Sequence, residues 1–195
     1  MTRGKENKVT WSDRLLNTII LPLFPSAVQP NHITLARFLL TPFVLYFLYT
    51  NQWAWGVGLF AFTAFTDALD GALARTRNLI TEWGKIYDPV ADKLLIGLTA
   101  LVIIPKFFDF ILVFLIILSE VIIIIGAYWI KQNYPERELS ANGWGKMKMI
   151  IQSSALFVLI IASLIALPEP VISVVGIALY FSVGLAVISF IYAGI

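Results

Sequence analysis

Apolar runs long enough to cross a membrane recur along the chain, separated by short polar stretches. The first extends from about His32 to Tyr49 and is opened by Pro30 and Asn31. Thr50-Asn51-Gln52 turns the chain, and a second run extends from about Trp53 to Arg75. Asn78 to Trp83 reads as a connecting loop. A third segment covers about Gly84 to Ile104 and stops at Pro105, and a fourth covers about Phe108 to Trp129. Lys131 to Asn142 (KQNYPERELSAN) is the most polar stretch and suits a loop or a short surface helix. The fifth segment runs from about Trp144 to Ala166. Leu167-Pro168-Glu169-Pro170 makes a turn, and the sixth reaches about Ile195. An apolar run of about 20 residues spans a bilayer as a helix. A lone span satisfies its backbone groups in lipid only as a helix. The pattern predicts an all-α integral membrane protein with six transmembrane helices.

The chain ahead of the first run reads differently. Met1 to Lys8 is short and charged, and WSDRLLNTIILPLF follows with a polar start and an apolar body broken by Pro22. No small-residue cleavage site precedes Pro25, so a signal peptide fits less well than an amphipathic helix lying along the interface. The expected organisation is a cytoplasmic N-terminal segment over 1–30 and a six-helix membrane domain over 31–195. Basic residues give the orientation. Arg3, Lys5, Lys8 and Arg14 precede the first helix. Arg75, Arg77 and Lys85 flank the second connection, and Lys131, Arg137, Lys146 and Lys148 flank the fourth. The first, third and fifth connections hold only Lys106. Positive charge stays on the cytoplasmic side, which puts both termini there.

Composition narrows the chemistry. The 195 residues are 59% hydrophobic and include no cysteine and a single histidine, which excludes thiol chemistry and a multi-histidine metal site. A net charge of +2 is too small to argue from, and no motif indicates a nucleic-acid partner.

Four aspartates nevertheless lie in apolar surroundings, in DALDGALARTRNLITEWGKIYDPVADK, from Asp67 to Lys93. Asp67 and Asp70 are three apart, and Asp88 and Asp92 four apart, so each pair shares a helix face. The connection between the two helices is short, which makes them antiparallel neighbours with both pairs near one membrane face. Gly71 and Ala74 add little bulk and allow close approach of a helix or ligand. A carboxylate at bilayer depth costs about 2.5–3.5 kcal/mol. Compensation comes either from protonation, as in a proton relay, or from hard cations. An all-oxygen set suits Mg2+, Mn2+ or Ca2+, and paired ions about 3.5–4 Å apart serve displacement at phosphorus. A purely structural reading would have the aspartates cap helices or pair with Arg75, Lys85 and Lys93. That explains any one of them better than it explains all four.

The stretch Asp67-Ala68-Leu69-Asp70-Gly71-Ala72-Leu73-Ala74-Arg75, then eight residues, then Gly84-Lys85-Ile86-Tyr87-Asp88-Pro89-Val90-Ala91-Asp92, resembles the signature of the CDP-alcohol phosphatidyltransferase family. That signature is D-x2-D-G-x2-A-R-x8-G-x3-D-x3-D, and every fixed position is filled. The resemblance implies transfer of a phosphatidyl group from CDP-diacylglycerol to a small alcohol, with release of CMP. It implies two divalent cations, Mg2+ or Mn2+, held by Asp67, Asp70, Asp88 and Asp92, with Asp92 also the general base for the attacking hydroxyl. It puts Gly71, Ala74, Arg75 and Gly84 at the CDP group. It further implies a homodimer in a prokaryotic inner (cytoplasmic) membrane, with the active site on the cytoplasmic side and membrane lipid around it.

Other stretches resemble the phosphatidylglycerophosphate synthase branch of that family. Pro30-Asn31-His32-Ile33-Thr34 followed by Arg37 is similar to its P-N-x-x-T-x-x-R opening, which adds Asn31 and Thr34 to the CDP site and Arg37 to the acceptor site. Gly145-Lys146-Met147-Lys148 is similar to its G-K-x-K stretch. Lys146 and Lys148 lie on different helix faces, so one can reach an acceptor phosphate while the other meets lipid headgroups. Glu120 in the fourth helix would bond acceptor hydroxyls or pair with a lysine. Ser119 and Tyr128 stand where that branch usually carries arginines, and neither replaces a bidentate contact to phosphate. Glycerol 3-phosphate leads as acceptor, with inositol phosphate, a polyol, or phosphatidylglycerol as in cardiolipin synthesis as alternatives. Outside enzymes, a cation or proton-coupled carrier would use the same acids but would show inverted repeats. A scaffold would use them only for pairing.

Overall fold

The computed structural model describes residues 30–76, 82–134 and 143–194. Among these there are six α-helices and no strand: α1 Pro30–Tyr49, α2 Trp53–Thr76, α3 Glu82–Ile103, α4 Phe110–Asn133, α5 Gly143–Leu164 and α6 Glu169–Gly194. The expected N-terminal interfacial helix lies outside the described residues. Four of the helices are long and apolar enough to cross a membrane, namely α1, α4, α5 and α6. In α2 the apolar part is Trp53–Thr66, because Asp67, Asp70 and Arg75 charge its second half. Glu82, Lys85, Asp88, Asp92 and Lys93 do the same to the first half of α3.

Local chemistry sets the ends of these helices. Pro30 opens α1, where its missing N–H has no intrahelical acceptor anyway. Asn51 closes it with φ 59°. The Asn51 N–H donates to Leu48 O at 3.4 Å, and the Gln52 N–H donates to Phe47 O at 2.8 Å. These paired bonds to the last helical carbonyls form a Schellman turn, in which asparagine supplies the left-handed residue more usually given by glycine. The next helix then approaches closely. A Cβ on Gly56 would lie 2.5 Å from Leu48 Cδ2. A 3₁₀ turn, Ile104–Lys106, ends α3 at Pro105. Lys106 Nζ donates to Asn51 Oδ1 at 2.7 Å and sits 4.4 Å from the centre of the Trp53 ring. The one basic residue in the odd-numbered connections thus has a local structural use.

The described residues group into two compact units. The first takes those within Met1–Val44 and Gly58–Leu94, and Ile33 of α1 packs there against Leu73 of α2. The second takes those within Leu45–Val57 and Leu95–Ile195. In it α6 packs against both α5 and α4. Phe190 of α6 rests where a side chain on Gly126 of α4 would stand, and Phe108 does the same at Gly176.

Each unit buries some polar side chains among a larger number of apolar ones and exposes large apolar side chains. Thr34, Arg37, Thr41, Thr63 and Thr66 are buried in the first; Ser119, Lys148, Gln152, Ser182 and Ser189 are buried in the second. Leu39 (62% exposed) and Ile177 (69%) are among many large apolar side chains on the outer faces. An exterior of this kind is stable in lipid and not in water. Several of the buried hydroxyls bond back onto their own helices, as an apolar setting favours. Thr63 Oγ1 donates to Leu59 O at 2.7 Å, Thr66 Oγ1 to Thr63 O at 2.6 Å, and Ser182 Oγ to Leu179 O at 2.7 Å.

Candidate active site

The acidic motif runs across α2 and α3 in the first unit. Positions 67 and 70 lie one turn apart in α2, and positions 88 and 92 one turn apart in α3, so the expected helical register is present. The side chains of Asp67, Asp70, Ala74, Arg75 and Asp88 lie outside the described ones, as do those of the flanking residues Lys85 and Ile86. Gly71 and Gly84 fall within the same helices. Among the described side chains no group of three or more His, Cys, Asp or Glu is gathered.

Asp92 is described in full, and its partner is the central finding of this unit. Arg37 of α1 is completely buried, and its Nη1 donates to Asp92 Oδ1 at 2.5 Å. A buried guanidinium requires an anion, and the buried face of α3 supplies one. Residues 37 and 92 are far apart in sequence, and nothing in either stretch announces their pairing. Sequence reasoning placed Arg37 at the acceptor; its described partner is the aspartate expected to act as base. One helical turn before Arg37, Thr34 is also buried, while Asn31 is half-buried at the start of α1. Thr41 Oγ1 donates to Arg37 O at 2.8 Å, just ahead of Pro42, whose ring removes the next backbone donor. Beside this, α1 and α2 border a cleft of about 220 Å³ lined by His32, Ile33, Ala36, Leu40, Phe62, Thr66 and Leu69. Its walls are almost wholly apolar.

The second unit holds the other candidates. Lys148 of α5 is 3% exposed and donates from Nζ to Glu120 Oε1 of α4. Lys146 is exposed. The two lysines therefore face apart, as their spacing predicts, and the inward one is Lys148. Glu120 takes the lysine pairing that the sequence left open. Ser119 is buried with Oγ donating to Ile116 O at 2.7 Å, and the exposed Tyr128 hydroxyl accepts from Gln132 Nε2 at 2.8 Å. Neither supplies the positive charge of an arginine. Sequence reasoning missed Gln152, which is 1% exposed on the same helix as Lys148. The available signal was a lone amide four residues beyond Lys148 in an otherwise apolar run.

A helical membrane architecture with this acidic pattern on two successive helices defines a class of lipid-modifying transferases that work on CDP-activated donors. The chain belongs to the CDP-alcohol phosphatidyltransferase family, whose family model matches residues 27–188. A Rickettsia typhi protein named CDP-diacylglycerol--glycerol-3-phosphate 3-phosphatidyltransferase is 33% identical over 141 residues, covering 69% of this chain and 76% of its own. A Wigglesworthia glossinidia brevipalpis protein of the same name is 33% identical over 167 residues, covering 82% of this chain and 89% of its own. A Drosophila melanogaster protein named "Probable cardiolipin synthase (CMP-forming)" is 39% identical over 69 residues, covering 35% of this chain and 21% of its own.

Proposed function

We propose that this chain transfers the phosphatidyl group of CDP-diacylglycerol to the primary hydroxyl of glycerol 3-phosphate. The hydroxyl oxygen forms a bond to the lipid-bearing phosphorus, the bond from that phosphorus to CMP breaks, and the hydroxyl proton passes to Asp92. The products are phosphatidylglycerol phosphate and CMP. The observation that carries this reading is the intact acidic motif in helical register on α2 and α3, with Asp92 held by the buried Arg37. The names of the two bacterial relatives support the choice of acceptor.

The donor set fits hard divalent cations, because it consists of carboxylates alone, two per helix face. Asp67, Asp70, Asp88 and Asp92 would hold two Mg2+ or Mn2+ ions, which neutralise pyrophosphate charge when bound. Asn31, Thr34, Gly71, Ala74, Arg75 and Gly84 would line the CDP group, with the glycines allowing close approach to backbone. The apolar cleft beside His32 suits an acyl chain of the donor. Arg37 acts through Asp92, orienting the carboxylate that accepts the proton. Lys148 and Glu120 belong to the acceptor, and the exposed Lys146 to lipid headgroups.

The same reading has all six helices of 31–195 crossing a prokaryotic inner membrane as a homodimer, with both termini and the active site cytoplasmic. A second reading, phosphatidylglycerol as the acceptor, is favoured by Ser119 and Tyr128, which bring no cation for an acceptor phosphate. The test is to give purified protein in liposomes CDP-diacylglycerol and Mg2+ or Mn2+, with acceptors offered singly. Phosphatidylglycerol phosphate from glycerol 3-phosphate is the expected product. Cardiolipin from phosphatidylglycerol, with nothing from glycerol 3-phosphate, would replace the first reading by the second.

A further inference from the structure

The apolar cleft lies wholly within the first unit, between α1 and α2. The two helices run antiparallel there, since Ile33 near the start of α1 packs against Leu73 near the end of α2. Of the lining residues, His32 and Leu69 therefore mark one end of the cleft, and Leu40 and Phe62 the other. From His32 to Leu40 the helix rises about 12 Å, at about 1.5 Å per residue. One leaflet of a hydrocarbon core about 30 Å thick is about 15 Å deep. The cleft thus matches a single extended hydrocarbon chain over most of its own leaflet.

Any groove on a membrane protein meets lipid tails, and position decides which tail enters this one. Leu69 stands between Asp67 and Asp70 in the chain, so the cleft begins inside the acidic motif. A lipid whose phosphate is held at that motif has its chains at the mouth of the cleft. Two lining residues are polar. Thr66 is buried, and its Oγ1 donates to Thr63 O at 2.6 Å, which commits its proton to its own helix. His32 is exposed at the motif end, and a histidine ring carries an N–H in either tautomer. The matching ligand has a long apolar body with a hydrogen-bond acceptor at the end nearest phosphate. An acyl ester has both, in its chain and its carbonyl oxygen. An alkyl ether has the chain without the carbonyl.

We propose that His32 selects ester-linked donors by donating a hydrogen bond to the ester carbonyl of the acyl chain seated in the cleft between α1 and α2. The inference rests on the donor being CDP-diacylglycerol, as the proposed function has it. A donor with ether-linked chains enters the same cleft, gives the His32 N–H no carbonyl to meet, and is discriminated against for that reason.

The test gives the full chain in liposomes glycerol 3-phosphate, Mg2+ and one of two donors. These are dipalmitoyl CDP-diacylglycerol and its dihexadecyl ether, which lacks only the two carbonyl oxygens. Wild type should use the ether with kcat/KM about five- to tenfold lower, the worth of one hydrogen bond. His32→Phe, which keeps an aromatic ring and removes the N–H, should bring the ratio of the two donors close to one, with the KM for glycerol 3-phosphate unchanged. His32→Gln, which restores an N–H donor, should recover part of the preference. A purely structural role would lower both donors by one factor and keep their ratio. That result, or wild type that uses the two donors alike, overturns the proposal while leaving the proposed function standing. Wild type that releases CMP from neither donor overturns the proposed function and this inference with it.

Discussion

Arg37 is a cation in a place where an unpaired one is barely tolerated, and under the proposed function its bond orients the base. It is fully buried and bonded to Asp92. Replacing it by glutamine should lower the kcat for CMP release by about 10- to 100-fold, the usual cost of a displaced catalytic group. The KM for CDP-diacylglycerol should change little. Wild-type kcat in a folded Arg37→Gln protein would show that the pair is only structural. At this scale the sequence is informative about residue types and silent about partners. The aspartate pattern, Arg37, Glu120 and Lys148 could each be singled out by their charge in apolar surroundings. That Arg37 meets Asp92, and Lys148 meets Glu120, depends on how separate helices pack, which no local spacing encodes. Gln152 was invisible for the opposite reason, since an uncharged amide in an apolar run raises no electrostatic alarm.

The helices themselves were legible almost to their ends, because apolar periodicity is interrupted by Pro30, Asn51, Pro105 and Pro168 where the chain turns. The main departure is α4, which continues through Asn133 although polar sequence begins at Lys131. Side chains at its end bond back to the last turns: Asn133 Nδ2 donates to Trp129 O at 2.8 Å, and Gln132 Nε2 to Tyr128 Oη at 2.8 Å. Polar residues that satisfy the helix terminus extend it rather than end it. The first turn offers a clean test. Asn51 is left-handed, and a β-branched residue there costs about 1–2 kcal/mol. Asn51→Val should therefore lower thermal stability measurably, while Asn51→Gly should stay close to wild type apart from the exposed Lys106 contact. Equal stability of the two variants would refute the strained-turn account.

Across the molecule, large apolar side chains face outward while a few polar ones, Arg37 and Lys148 among them, are buried, which is the distribution of a membrane protein. The sequence predicts six spans from length, and four helices, α1, α4, α5 and α6, are long and apolar enough to cross a membrane. α2 and α3 are the two whose charges blur that reading, and those charges belong to the candidate site. The absence of cysteine makes topology directly measurable. Single cysteines at Lys5, Asn78 and Ser140 should react with a membrane-impermeant thiol reagent only when the cytoplasmic face is open to it. Cysteines at Gln52 and Leu167 should react only from the other side, and labelling of Gln52→Cys and Asn78→Cys from one side would rule out the six-span arrangement. The account as a whole stands on metal-assisted transfer at the acidic motif, and the most direct measurement is CMP release from CDP-diacylglycerol with glycerol 3-phosphate and Mg2+ or Mn2+. The account predicts steady CMP release by wild type, its loss on chelation, and a fall of at least about a hundredfold in folded Asp92→Asn, from removal of the base. CMP release by Asp92→Asn at the wild-type rate, or release that persists with the cations chelated, would contradict it.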